Sequence, residues 1–304
     1  MAQKACKPLA DEDKADLIAK TKTFIFDCDG VIWKGDSVIP GVPETLDFLR
    51  EQGKRLIFVT NNSTKSRAGY VKKFTSLGLN VKPEEVFSSS FAAAGYLEQS
   101  DFPKDKKVYV IGEVGIIEEL EMAGIQAIGG PADSDKKVEL KPGEKLLQDK
   151  NVKAVVVGFD RNVNYHKIQM ATLCIRENDD CEFIATNCDA VTHLTAEQEW
   201  AGNGSMVGAI KGSTKVEPTV VGKPSMFMLE YMQKKFGIAA DEICMVGDRL
   251  DTDIEFGNNG GARTMLVLSG VTTEETLLSP ENAIKPDFYA PNLPELAKST
   301  SVTA

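Results

Sequence analysis

No stretch of this chain is apolar for long enough to cross a bilayer; none approaches the roughly 18 residues that a spanning helix needs. Met1–Lys22 lacks the apolar segment of a secretory signal and carries Asp11, Glu12, Asp13 and Asp16. It is also too acidic for a transit peptide, which leaves open that one has been removed. Cysteine is sparse: Cys6, Cys28, Cys174, Cys181, Cys188 and Cys244 form no C-x-x-C pair, and the only histidines are His166 and His193. That argues against a zinc site, and scattered thiols in a chain of this size fit a reducing compartment. A basic excess is missing too. Against 45 acidic residues stand 35 Lys and Arg, for a net charge of −10 and a pI of about 4.9. Nucleic acid and anionic membrane surfaces are therefore not expected partners. Any site for an anionic ligand has to be built locally, against the field of the whole molecule. There are no internal repeats and no coiled-coil heptads.

What is present is an alternation of strands and helices over 304 residues, enough for two domains or one large one. Thr23–Phe26 and Arg55–Thr60 read as strands, the second through the unbroken apolar run Leu56-Ile57-Phe58-Val59. Continuous rather than alternating apolarity marks a parallel strand covered on both faces. Pro43–Gln52, with Leu46 and Leu49 on one stripe and Gly53 past its end, reads as a helix. Ser66–Leu77 is a second helix and Val86–Ser88 a short third strand. After a polar break at Pro103–Lys107 a new α/β rhythm begins. Its strands are Val108–Ile111, Ala154–Val157 and Phe183–Thr186, its helices Gly115–Ala123 and Tyr165–Arg176. The polar run Gly129–Glu144 reads as a surface excursion. Val220–Pro224 returns to the first pattern, with helix Ser225–Phe236, strand Ile243–Val246, a helix ending at Asn258 and strand Thr264–Leu268. The expected fold is α/β, a doubly wound parallel-sheet, Rossmann-like core of residues 1–105 and 222–304 with an inserted α/β domain of residues 106–221.

Four pieces fall at the ends of apolar strands. Asp27 and Asp29, one residue apart and followed by Gly30, end the first. Thr60-Asn61-Asn62 ends the second, Lys223 follows Val220-Val221, and Asp248 follows Ile243–Val246, with Asp253 five residues on. Ligands of open α/β sheets bind at carboxyl ends of strands. Two close carboxylates are costly without a cation or a shared proton, and Mg²⁺, which prefers hard oxygen ligands, supplies that relief. Each piece also has a plainer reading. Asp-x-Asp-Gly is turn chemistry, Thr60 fits a helix N-cap, Lys223 a solvated lysine, Asp248 an Asx turn and Asp253 a helix surface. Together they supply a nucleophile, an acid/base, phosphate donors, a cation and a distal metal carboxylate, the parts of a metal-assisted phosphoryl transfer. Gly202–Gly208 imitates a dinucleotide fingerprint, but its last spacing is wrong and no strand is expected before it.

In order and spacing, Asp27-x-Asp29, Thr60-Asn61, Lys223 and Gly247-Asp248-x₄-Asp253 resemble the haloacid dehalogenase superfamily of aspartate-nucleophile phosphatases. The gap between Asn62 and Lys223 is where that superfamily inserts its C2 cap. Asp27–Trp33, Val59–Ser63 and Val246–Asp253 are similar to the branch containing phosphoglycolate, pyridoxal-phosphate and 4-nitrophenyl phosphatases. Phe87–Ala94, Phe102–Val110 and Val220–Ser225 look most similar to its plant and algal phosphoglycolate phosphatases. The resemblance covers roughly residues 20–290. It implies Asp27 as nucleophile and Mg²⁺ ligand. Asp29 becomes the acid/base, lending its carbonyl to the metal, and Asp248 a further ligand. Thr60, Asn61, Asn62 and Lys223 become phosphate-binding groups, and Lys223 also neutralises charge in the reaction. Asp253 is expected to orient a metal-bound water or Lys223 rather than to bind the metal. Thr186–His193 resembles the family's specificity loop, with His193 the first candidate contact and Arg161 and Lys211 further donors for a substrate carboxylate. Cys28 is expected to be an inert packing thiol. The reaction implied is hydrolysis of 2-phosphoglycolate to glycolate, with pyridoxal phosphate or aryl phosphates as alternative substrates and an inactive binding protein as the alternative outside catalysis. Chloroplast stroma is the implied location, cytoplasm the alternative; C2-capped relatives often pair through their caps, and the sequence leaves the oligomeric state open.

Overall fold

The computed structural model describes residues 6–139, 141–192, 194–195 and 198–298. The chain forms two compact units: residues 1–60, 73–86 and 223–304 make the first, residues 61–72 and 87–222 the second. Among the described residues, no helix is long and apolar enough to cross a membrane.

The first unit is built on a seven-stranded sheet. Its order is Lys7–Pro8, Phe288–Ala290, Arg263–Val267, Ile243–Gly247, Thr23–Phe26, Arg55–Thr60 and Val86–Ser88. The neighbouring pairs from Lys7–Pro8 through Arg55–Thr60 run parallel. The central strands are buried along nearly their whole length, as their unbroken apolar runs require. Phe24, Phe26, Phe58 and Phe74 pack in a row, with ring centroids 6.1, 5.8 and 4.7 Å apart. Helix Val42–Glu51 carries Pro43 in its first turn and buries Val42, Leu46 and Leu49 on one stripe. The chain leaves Thr23–Phe26 toward Arg55–Thr60 on one side and comes back to Ile243–Gly247 on the other. The order therefore reverses between Thr23–Phe26 and Ile243–Gly247, and such a switch point opens a crevice at the carboxyl ends of the two strands.

The second unit repeats the principle with five parallel strands, in the order Thr219–Val220, Glu182–Ala185, Val152–Val157, Lys107–Ile111 and Gln126–Gly129. This is one of the two common doubly wound orders, with its own switch point between Lys107–Ile111 and Val152–Val157. A cleft of about 410 Å³, lined in part by Gly112, Glu113, Asp160 and Arg161, opens beyond these two strands. The sheet spans Lys107–Val220, while residues 61–72 and 87–105 group with it in compactness.

Element ends agree with the sequence expectations to within a residue or two, the ordinary scatter of frayed ends. The elements that escaped them include helices Asp11–Lys20, Ser89–Gln99, Asn203–Thr214 and Glu274–Leu278, strand Gln126–Gly129 and the short strands Lys7–Pro8, Thr219–Val220 and Phe288–Ala290. Ser89–Gln99 is buried over nearly all of its surface, so it has no polar face and no 3.6-residue stripe to read. The run Gly129–Glu144 is only partly a surface excursion. It opens with the turn Gly130–Asp133, where Asp133 is buried and takes a 2.8 Å hydrogen bond from the Tyr109 hydroxyl.

One buried ion pair anchors the second unit. Lys167 and Asp160 meet at 2.7 Å with side chains 0% and 2% exposed, and the ammonium also reaches the Ser134 hydroxyl at 3.3 Å. Removing one partner of such a pair strands the other charge. Lys167→Ala is therefore expected to destabilise the second unit by roughly 3–5 kcal/mol in urea unfolding. Lys20→Ala, which removes the exposed pair to Asp16, is expected to leave the midpoint unchanged.

Candidate active site

The switch point of the first sheet gathers the acids. Phe26 pairs with Val246 across the two central strands, so Asp27 emerges one residue and Asp248 two residues beyond that pair. Thr60, 3% exposed, ends the strand on the other flank of Thr23–Phe26. Lys223 enters as a buried cation. Its ammonium pairs with Asp27 Oδ1 and, at 2.6 Å, with Asp253 Oδ1, and donates to the Val59 carbonyl at 3.2 Å. Asp253 sits in a π-helical turn, Leu250–Ile254, that aims both of its oxygens inward. Oδ2 accepts from the backbone N–H of Asp248 and of Arg249, each at 3.1 Å.

Burial dominates the electrostatics here. It pushes the Asp27 carboxyl well above the usual carboxylate range, Lys223 opposes the rise, and Asp253 and Asp248 add to it. Asp248 is pushed up to about 7 by burial and by Asp253. Lys223 is disfavoured by burial, yet its two carboxylate partners outweigh this and hold it protonated. Burial, then Asp27 and Asp29, raise the fully buried Cys28 thiol well above its ordinary value, so it is a packing group rather than a thiolate.

The oxygens of Asp27, Asp248 and Asp253 lie within 4.8 Å of one another. Asp253 already spends both oxygens on Lys223 and the backbone, which makes it an orienting group. Asp248 Oδ2 accepts the Val271 N–H at 2.7 Å, leaving Oδ1, and Asp27 keeps the oxygen that Lys223 does not hold. Gly30, at φ +84°, leaves the space beside Asp248 clear; a Cβ there would lie 2.6 Å from Asp248 Oδ2. Two anionic oxygens and a nearby backbone fit a hard divalent cation.

Asp29 is exposed, and its Oδ1 accepts a 2.8 Å hydrogen bond from the Trp33 indole. Trp33 is fully buried edge-on against Phe74, with the Lys73 ammonium 4.3 Å above its ring. This holding group and the loop Ser269–Val271 were both missed in the sequence. That loop supplies the bond to Asp248 and a 2.6 Å bond from the Ser269 hydroxyl to the Gly30 carbonyl. The available signals were the indole four residues after Asp29 and a Ser-Gly turn at the end of an apolar strand.

Asn61 and Asn62 belong to the second unit. Asn61 Nδ2 donates to both Asp189 oxygens at 3.1 and 3.3 Å, and its carbonyl accepts from the Ser89 hydroxyl at 2.6 Å and Asn187 Nδ2 at 2.7 Å. The expected donors for the far end of a ligand fare differently. Arg161 is held by Glu113 through two bonds of 2.7 and 2.9 Å, and Lys211 pairs with Glu217 at 2.7 Å. His193 lies outside the described residues.

Residues 24–126 match the haloacid dehalogenase-like hydrolase family, and residues 220–296 match the related HAD-hydrolase-like family. The chain is 65% identical, over 96% of its own length and 81% of the relative's, to phosphoglycolate phosphatase 1A, chloroplastic, of Arabidopsis thaliana. The chain belongs to the haloacid dehalogenase-like hydrolases. Among solved structures it is similar to a 4-nitrophenylphosphatase of Thermotoga maritima (TM-score 0.78, 32% identity, 93% of this chain and 98% of the other). It is also similar to a glycerol phosphate phosphatase of Mycobacterium tuberculosis in complex with magnesium (TM-score 0.76, 26% identity, 95% and 80%). Members of this hydrolase family use a divalent metal, which agrees with the oxygens that Asp27 and Asp248 hold in reserve.

The raised Asp248 carboxyl ties stability to pH and metal. Its value climbs on folding from 3.8 to about 7, so its contribution to stability is full below the unfolded value and is lost as pH rises through about 7. A bound divalent cation offsets that loss. The gain in melting temperature on adding excess divalent cation is therefore expected to be larger at about pH 8 than at about pH 5.5. Equal gains at both would mean that the cation does not relieve these acids.

Proposed function

We propose that this hydrolase is a magnesium-dependent phosphatase that converts 2-phosphoglycolate to glycolate and phosphate through an aspartyl-phosphate on Asp27. The observation that carries the reaction class is the buried Lys223 ammonium clamped between Asp27 and Asp253 beside Asp248. The substrate rests on the 65% identity with a phosphoglycolate phosphatase over nearly the whole chain.

In this reading Asp27 attacks phosphorus with the oxygen beside Lys223 and keeps its other oxygen for the metal. The bond from phosphorus to the glycolate oxygen breaks, and that oxygen takes a proton from Asp29. Asp29, now a carboxylate steadied by the Trp33 N–H, removes a proton from water as its oxygen attacks the aspartyl-phosphate. Orthophosphate leaves and Asp27 is restored. The Thr60 hydroxyl and the backbone N–H groups of Asn61 and Asn62 hold phosphate oxygens, and Lys223 counters the charge that gathers there. Asp27, the Asp29 carbonyl and Asp248 are the ligands we assign to Mg²⁺, which when bound supplies Lewis acidity and charge neutralisation at the phosphoryl oxygens. Asp253 keeps Lys223 and the Asp248 backbone in place.

The core, residues 1–105 and 222–304, is assigned the chemistry, and the inserted block, residues 106–221, the choice of substrate. With Arg161 and Lys211 engaged by Glu113 and Glu217, His193 is the first candidate to read the substrate carboxylate. Chloroplast stroma is the proposed location, in keeping with the relative's name. Pairing of two copies through the inserted block is the proposed assembly, and the net charge of −10 speaks against nucleic acid and membrane partners.

Asp27→Asn keeps the shape and loses the nucleophile, so kcat is expected to fall by more than about 10³-fold with the fold intact by circular dichroism. Near-normal phosphate release from that variant would end the aspartyl-phosphate reading. The substrate assignment predicts a higher kcat/KM for 2-phosphoglycolate than for pyridoxal phosphate or 4-nitrophenyl phosphate. It further predicts that His193→Ala costs roughly 10- to 150-fold on phosphoglycolate and much less on 4-nitrophenyl phosphate, which has no carboxylate. A preference for pyridoxal phosphate would overturn the substrate while leaving the reaction class.

A further inference from the structure

Three consecutive peptide groups around Asn62 are fixed by side chains, the first of them by residues distant in sequence. The Asn61 carbonyl accepts from the Ser89 hydroxyl at 2.6 Å and from Asn187 Nδ2 at 2.7 Å. The Asn62 carbonyl accepts from the Tyr70 hydroxyl at 3.0 Å. The Thr64 N–H and hydroxyl both donate to Asn62 Oδ1, at 3.0 and 2.7 Å. Asn187 is itself braced: its Oδ1 accepts the Asp189 N–H at 3.0 Å, and its carbonyl accepts Asn203 Nδ2 at 2.7 Å. Ser89, Asn187 and Asn203 are 0, 3 and 2% exposed. Gly204 allows the close packing, since a Cβ there would meet the Cys188 carbonyl at 2.8 Å.

The peptide bond converts this bracing into function. A C=O and the N–H that follows it share one plane and point in opposite directions. Two hydrogen bonds that fix the Asn61 carbonyl therefore fix the direction of the Asn62 N–H. That N–H is one of the phosphate donors assigned above, and the inference rests on that assignment. We propose that Asn187 and Ser89 are positioning residues that aim the Asn62 N–H at the substrate phosphate, so that phosphate affinity depends on the loop Thr186–Asp189. Asp189, bound through both oxygens to the Asn61 amide, fixes the side chain of the same residue. A prearranged donor contributes more than one that must be ordered at the moment of binding.

Asn187→Asp tests this with little change of shape. It keeps the oxygen that accepts the Asp189 N–H and replaces the amide donor with an acceptor facing the Asn61 carbonyl. Ser89→Ala removes the other donor and serves if Asn187→Asp folds poorly. Orthophosphate binding is measured by calorimetry at saturating Mg²⁺, together with KM and kcat for 4-nitrophenyl phosphate and the Mg²⁺ concentration for half-maximal activity. Both variants are expected to weaken orthophosphate and raise KM by about tenfold, the loss of part of one charge-assisted hydrogen bond, with the Mg²⁺ requirement unchanged. Unchanged orthophosphate affinity in folded variants, even with a lowered melting temperature, would overturn the proposal and reduce the network to a loop staple. A wild-type protein that binds orthophosphate but releases none from any ester would instead overturn the phosphatase reading, leaving the positioning claim to stand or fall on calorimetry.

Discussion

The Lys223 ammonium sits 2% exposed between Asp27 and Asp253, with Asp248 packed close by. Without it, three buried carboxylates would share a few ångströms of space in a low-dielectric crevice, and they would protonate, separate or unfold the strand ends. With it, one negative charge of the cluster is balanced permanently, and Asp253 is held where its second oxygen can tie down the backbone that carries Asp248. Such a cluster is weak as a source of stability, because desolvating three ions offsets most of their attraction. It has a different use. It leaves Asp27 and Asp248 raised in pKa by burial, with carboxylate oxygens of the kind that suits a hard divalent metal.

The geometry follows from strand order. Both sheets are parallel and doubly wound, so each has one place where successive crossovers leave in opposite directions. In the first sheet that place lies between the strands carrying Asp27 and Asp248. The in-register pairing of Phe26 with Val246 then sets their separation without help from any loop. The loops refine what the strands place. Trp33 turns the Asp29 carboxylate, and the Ser269–Val271 loop fixes one oxygen of Asp248 and, through the Ser269 hydroxyl, the Gly30 carbonyl. Carboxylates on rigid strand ends, trimmed by hydrogen bonds from flanking loops, keep their geometry at low entropic cost.

What could be read from the sequence was whatever the local pattern determines. Leu56–Val59 and Ile243–Val246 are buried on both faces and announce it by unbroken apolarity, so the strands and the acids at their ends were legible. Helix Ser89–Gln99 was not, because burial of Ser89 through Gly95 and of Leu97 erases the polar face that periodicity needs. The partners of Arg161 and Lys211 were equally hidden. Glu113 stands 48 residues from Arg161, and only the sheet brings them together, so two cations chosen for their charge turn out to be engaged already. The role of Asp253 was half legible: its spacing from Asp248 was plain, but its two-sided hold on Lys223 and the backbone depends on a π-helical turn that no periodicity signals.

The central claim is that Asp27 carries the phosphoryl group, and direct trapping tests it. The wild-type enzyme is mixed with phosphate-labelled 2-phosphoglycolate and Mg²⁺, quenched in acid during turnover, reduced with borohydride and sequenced by mass spectrometry. An acyl phosphate on Asp27 is reduced to homoserine, so the account predicts homoserine at position 27 in the quenched sample and aspartate there when substrate is omitted. Aspartate at position 27 in both samples, with the label on another residue or on none, would contradict it.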